Sequence, residues 1–203
     1  GRLGGTFKNL WLSGTYDEAT DENKETNVIP TLSDLKEYGL GFNLSSVFDS
    51  RFENCRIEDF GLGMYLKGCD INVITNNRLN KNGVQVYLDR VSSFGSQTTI
   101  SNNDILRNQR YGAITINGTR QDAIVNNYFE NYTNSACFVY SNNDISTLID
   151  GNRIDNPQID EIDVFRLKPV NGDIIVNNRV GPNQSYKTYI NVTEENYKGT
   201  SKR

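Results

Sequence analysis

A six-residue pattern recurs along the chain: FENCRI at 52–57, ITNNRL at 74–79, ISNNDI at 100–105, IVNNYF at 124–129, IDGNRI at 149–154 and IVNNRV at 175–180. With the fourth position as marker (Cys55, Asn77, Asn103, Asn127, Asn152, Asn178), successive copies lie 22, 26, 24, 25 and 26 residues apart. A self-similar period in the twenties belongs to solenoids, in which one repeat cannot bury its apolar face alone and stacks on its neighbours. The apolar positions alternate by twos rather than following i, i+3, i+4, and the connectors are not Leu-dense, so helical and leucine-rich solenoids are set aside. Each copy begins and ends on an apolar residue with two small polar residues, usually Asn-Asn, between. Asn tolerates the left-handed backbone that a sharp strand-to-strand bend needs, and its amide can bond to local backbone or to the Asn one coil away.

A second apolar column keeps the same period. It runs through GFNLSS (41–46), GMYLKG (63–68), VQVYLDR (84–90), AITINGT (113–119), ACFVYSN (136–142), VFRLKP (164–169) and YINVTE (189–194). Its inward anchors read Leu44, Leu66, Leu88, Ile116, Tyr140, Leu167 and Val192. Two or three short strands per coil, each paired with its counterpart above and below, predict an all-β, single-stranded parallel β-helix of seven coils, a stack about 30 Å long. Residues 40–192 form this solenoid. Residues 1–39 carry a first rung around Leu10, Trp11 and Leu12, then an acidic insertion with a short helix after Pro30, read as a solvated surface loop with groove wall or cap as alternatives. Residues 193–203 read as a tail or linker.

Composition bounds the function. A chain of 203 residues with a net charge of -4 and no basic patch argues against nucleic-acid binding, and no long apolar run predicts membrane insertion. The absence of an initiator Met suggests a piece of something longer. Cys55, Cys69 and Cys137 lack metal-ligand spacing and read as thiols in the solenoid wall, so neither metal nor cofactor is expected. With no His in the chain, a His general base, a Ser-His-Asp triad and a His-rich metal site are all excluded.

The pattern I-x-N-N-x-I followed by a variable turn and G-I-x-L resembles the right-handed parallel β-helix repeats of pectate lyases, mannuronan epimerases and, most of all, bacteriophage tailspikes, over residues 40–192. Neither the calcium site of pectate lyases nor the His-containing motif of the epimerases has a match, so those two activities are not expected. The resemblance implies an elongated glycan groove on the G-I-x-L strand, a homotrimer, and a virion or extracellular location.

Side chains alternate along a strand, so the outward column of that strand reads Asn43, Tyr65, Tyr87, Thr115, Val139, Arg166 and Asn191. Beside it run Ser45, Lys67, Asp89, Asn117, Ser141, Lys168 and Thr193. Tyr65, Lys67, Tyr87, Arg90, Arg166 and Lys168 are the candidate sugar-binding residues, with flat apolar faces for C–H surfaces and charges for hydroxyls or carboxylates; a Tyr ladder that only rigidifies the wall is the alternative. Both tyrosines are expected to be exposed. Glycosidic hydrolysis takes two carboxylates roughly 5 to 10 Å apart; Asp89 and the cluster Asp160, Glu161 and Asp163 are the candidates. On the Asn-Asn strand, Arg56, Arg78, Asp104, Tyr128, Arg153 and Arg179 point outward, where opposite charges read as cross-coil ion pairs. The sequence therefore reads as a tailspike-like segment that binds, and cleaves, a bacterial surface polysaccharide. The alternatives are a non-catalytic shaft or adhesin module and a secreted polysaccharide lyase.

Overall fold

In a computed structural model of the chain, which describes residues 4–17, 32–107, 112–130, 138–155, 165–167, 172–180 and 190–192, the two positions of each Asn-Asn bend do different work. The first takes the left-handed conformation: Asn54, Asn76, Asn102, Asn126 and Asn177 lie at φ +54 to +56°, and Gly151 serves at +64° in the copy that reads IDGNRI. The second points inward and is buried from Asn77 to Asn152, with Asn178 half-buried. Asn77 Nδ2 donates to Asn103 Oδ1 (3.1 Å), Asn103 to Asn127 (3.0 Å), Asn127 to Asn152 (3.1 Å) and Asn152 to Asn178 (2.9 Å). Each Nδ2 also donates to a backbone carbonyl of the preceding coil, from Phe52 to Ile124, and each Oδ1 accepts the backbone N–H of the preceding marker. A buried amide with all these partners adds stability, whereas one left unpaired costs about 1–3 kcal/mol.

Three parallel seven-stranded sheets stack along the axis. Sheet A runs from Thr6–Lys8 to Ile174–Val176, sheet B from Trp11–Ser13 to Arg179–Val180, and sheet C from Leu40–Ser45 to Ile190–Val192. Every pairing is parallel and in register. The fold is a right-handed, single-stranded parallel β-helix, with a first rung already formed in sheets A and B by residues 6–13. One inward stripe from each sheet fills the interior, including Phe52, Ile57, Leu66, Ile74, Leu79, Leu88, Ile105 and Ile116, each 2% exposed or less.

The expected outward column of sheet B is observed as a register: Arg56 beside Arg78, Arg78 beside Asp104, Asp104 beside Tyr128, Tyr128 beside Arg153, Arg153 beside Arg179. Ion pairs on sheets A and B run along single strands as well as between coils. Arg56 meets Glu58 (2.8 Å) and Arg153 meets Asp155 (2.6 Å) at i,i+2, while Lys8 and Glu53 pair across coils. Exposed pairs of either kind contribute little.

Two expectations are corrected. In the fifth coil the in-out assignment slips by one residue: Val139 and Ser141 are buried at 0%, and Tyr140 and Asn142 take the outward places beside Thr115 and Asn117. Ser141 replaces an apolar anchor because its hydroxyl donates to the buried Asp144 (2.6 Å), which satisfies both groups inside the wall. The second correction concerns the insertion, whose helix α1 (Leu32–Glu37) packs on the outer face of sheet C instead of lying in solvent. Leu35, 1% exposed, forms a second small core with Leu62, Tyr65 and Val84. The helix approaches closely because Gly61 has no side chain; a Cβ there would lie 1.9 Å from the Leu35 carbonyl oxygen.

Candidate functional site

The outer face of sheet C carries two columns of side chains, and they differ in access. The first runs Asn43, Tyr65, Tyr87, Thr115, Tyr140. Most of its middle is covered: Tyr65 is 2% exposed, Thr115 5% and Tyr140 6%. The expected exposure of Tyr65 is therefore overturned, because α1 lies over it and Lys36 places its ammonium 4.8 Å from the ring centroid. Thr115 hydroxyl turns back to the Gly112 carbonyl (3.3 Å), closing that part of the face. Tyr87 stays half-buried, its ring set edge-on to Tyr65 at 5.8 Å and 76°.

The second column is a polar ledge. Lys67, exposed, lies beside Asp89, Asp89 beside Asn117, and Asn117 beside Asn142. Hydrogen bonds run along it: Tyr65 hydroxyl donates to Asp89 Oδ2 (2.8 Å), Asn117 Nδ2 to Asp89 Oδ1 (2.9 Å), and Asn142 Nδ2 to Asn117 Oδ1 (3.5 Å). Both oxygens of Asp89 are thus engaged, which makes it an anchor for its neighbours.

Burial, with Asp89 adding to it, pushes the Tyr65 phenol well above its ordinary range. Burial first and then Asp89 push Tyr87 up to about 12. Neither phenol is poised to lose its proton near neutral pH, so neither suits the general base a lyase would need.

Next to the ledge, at the corner where the chain leaves sheet C, a cavity of about 450 Å³ is lined by Arg90, Ser92, Asn117, Gly118, Asn143 and Ile145. The structure brings Tyr65, Lys67, Tyr87, Asp89 and Arg90 together on two adjacent coils. Arg166 is placed three coils beyond Tyr87, in register with Tyr140. Asp160, Glu161, Asp163 and Lys168 lie outside the described residues. Sequence reading missed Asn142, Asn143 and Ser92. The slip at Tyr140 hid the first two, and the Ser141-x-x-Asp144 spacing was the signal that could have found them.

A soft transition metal such as copper takes imidazole, thiolate or thioether ligands. The chain has no His, and its single methionine, Met64, is buried in the main core at 0%. Cys55 donates its thiol to the carbonyls of Phe7 and Glu53, and Cys69 to those of Leu44 and Lys67. Burial also pushes the Cys69 thiol up, away from the thiolate form. Among the described residues no cluster of three or more His, Cys, Asp or Glu could hold a metal, so this donor set does not fit copper.

No curated protein and no solved structure matches the chain. One family model does match, over residues 9–202: that of NosD, described as a periplasmic copper-binding protein. The match spans nearly the whole β-helix, and the chain belongs to the NosD family, with a copper donor set missing among its described residues.

Proposed function

We propose that this chain is a carbohydrate-binding β-helix that holds a bacterial polysaccharide along the outer face of sheet C, in the periplasm or outside the cell. The observation that carries this reading is the ledge Lys67–Asp89–Asn117–Asn142, a run of polar groups parallel to the solenoid axis, hydrogen-bonded from Asp89 onward. Side chains held this way meet an extended array of hydroxyls without losing further freedom on binding. Beside them the half-buried Tyr87 offers apolar ring surface for a sugar face, with Arg90 at the corner. The family description supports an extracytoplasmic location.

Cleavage in the manner of a tailspike depolymerase is the finer form of this reading, and the homotrimer and the virion location go with it. It requires Asp160, Glu161 or Asp163 to stand opposite Asp89 at a hydrolase separation. The engaged oxygens of Asp89 favour binding without cleavage.

The test is a panel of capsular, exopolysaccharide and lipopolysaccharide glycans, scored for binding, for reducing-end release and for the ultraviolet absorbance of unsaturated uronates. Binding that falls at least tenfold in Asn117→Ala, with no release, is the expected result. Reducing ends without the absorbance would instead establish hydrolysis, and both signals together a lyase. Failure of every glycan to bind would overturn the reading.

A further inference from the structure

Arg90 is held in place without an acidic partner in its cavity. Its backbone N–H donates to the Asn117 carbonyl (3.0 Å), and its stem is clasped by two glycines from neighbouring turns. A Cβ on Gly95, at φ +114°, would lie 2.9 Å from Arg90 Cα, and one on Gly118, at φ +68°, would touch Arg90 Cβ and Cδ at 3.7 and 3.9 Å. Within this cradle the guanidinium makes one long hydrogen bond, from Nη1 to the Gly118 carbonyl (3.5 Å). Its Nε–H is buried and, among the described residues, has no hydrogen-bond partner.

The cavity around it is polar and carries no carboxylate among the described residues that line it. Asn117 and Asn143 offer amides and Ser92 a hydroxyl. Asp89, the nearest acid in sequence, spends its two oxygens on Tyr65 and Asn117. The guanidinium meets no acid in this cavity, and a ligand carboxylate there would supply one, taking two of its N–H groups in a charge-assisted pair that improves on the long bond to Gly118. Neutral hydroxyls supply neither the charge nor the planar pair of oxygens.

We infer that the Arg90 corner cavity is a carboxylate subsite, so that the polysaccharide held on the ledge is an acidic one whose uronate-type carboxylate docks on Arg90. This rests on the glycan-binding reading above. It adds a specificity determinant to it: the ledge meets hydroxyls of any sugar, whereas Arg90 selects the charged residue.

The experiment compares homopolymers of galacturonate, glucuronate and mannuronate with the same polymers after carboxyl reduction to primary alcohols, by titration calorimetry on the full chain. At least one polyuronate is expected to bind at least tenfold more tightly than its reduced form. Arg90→Gln, which keeps most of the stem that fills the glycine cradle, is expected to lose that discrimination, so that the charged and reduced polymers bind alike. Asn143→Ala, on the exposed opposite wall, is expected to weaken the polyuronate severalfold and serves if the Arg90 variant fails to fold.

Equal binding of charged and reduced forms would overturn the subsite and leave the glycan reading standing, as would discrimination that survives Arg90→Gln. A sulfated neutral polymer bound as tightly as the polyuronate would overturn the choice of carboxylate. Absence of binding to any polymer, charged or neutral, would remove the inference together with the reading beneath it.

Discussion

Asp122 offers a quantitative test of how the solenoid wall is built. It is 1% exposed, with Oδ1 accepting the Thr98 N–H (2.9 Å) and Oδ2 the Thr119 hydroxyl. Burial pushes its carboxyl up from 3.8 to about 7, and Asp144 and Asp70 add repulsion against the lowering effect of the two hydrogen bonds. The folded state therefore keeps a proton that the unfolded chain has already released. Stability from this group is full below the unfolded value, falls as pH rises, and is lost above about 7. The gap between 3.8 and about 7 is worth about 4 kcal/mol.

Asn at this position cannot ionise, and the fold already accepts it: Asn72 occupies the equivalent place two coils earlier and accepts the Ser50 N–H in the same way (3.2 Å). Asp122→Asn is thus expected to match the wild type near pH 4 and to exceed it by about 4 kcal/mol at pH 9. Urea unfolding from pH 4 to 9 reads both. Asp173, also pushed up to about 7 by burial and by Asp144, titrates in both proteins and cancels in the difference. A difference that does not change with pH, or a variant less stable at pH 9, would refute the argument.

Other substitutions probe the bends. Asn127→Ala removes an amide that links three coils and leaves the Asn103 N–H and the Ile100 carbonyl without their partner; a loss of about 2–4 kcal/mol in urea unfolding is expected, and a loss below about 0.5 kcal/mol would mean that water replaces the ladder. Ile71 holds φ +56° in a turn column where other coils place Asp49, Gln97, Gln121, Ser146 and Gly172, and it is 53% exposed. A β-branched residue is costly there, so Ile71→Asn is expected to raise stability by about 1 kcal/mol, measured as a higher Tm; a lower Tm would show that the exposed side chain contributes packing.

The fold was legible because its signals are local and repeat. Alternation by twos in ITNNRL and GMYLKG specifies strands, and the recurrence of the marker asparagines specifies how those strands stack. The site was legible only in part. Tyr65, Tyr87, Lys67 and Asp89 were placed on the correct face, since inward Leu66 and Leu88 fix their register by simple alternation. Tyr140 was not, since an apolar Tyr beside a polar Ser inverts when the Ser finds a buried acceptor three residues on, and a slip of one residue exchanges inside for outside.

The sequence by itself determined the repeat, the bends, the parallel stacking and the lack of histidine chemistry, because each depends on residue type at a fixed short spacing. Only the tertiary structure decided which outward residues a ligand can reach. The packing of α1 onto Gly61 closes Tyr65, the Asp89–Asn117–Asn142 hydrogen bonds make the ledge, and Gly95 and Gly118 from separate turns hold Arg90 at its cavity. Except for Gly95, which is close to Arg90 in sequence, those contacts join residues 25 to 28 positions apart, and their effect on access depends on shapes that no local pattern encodes.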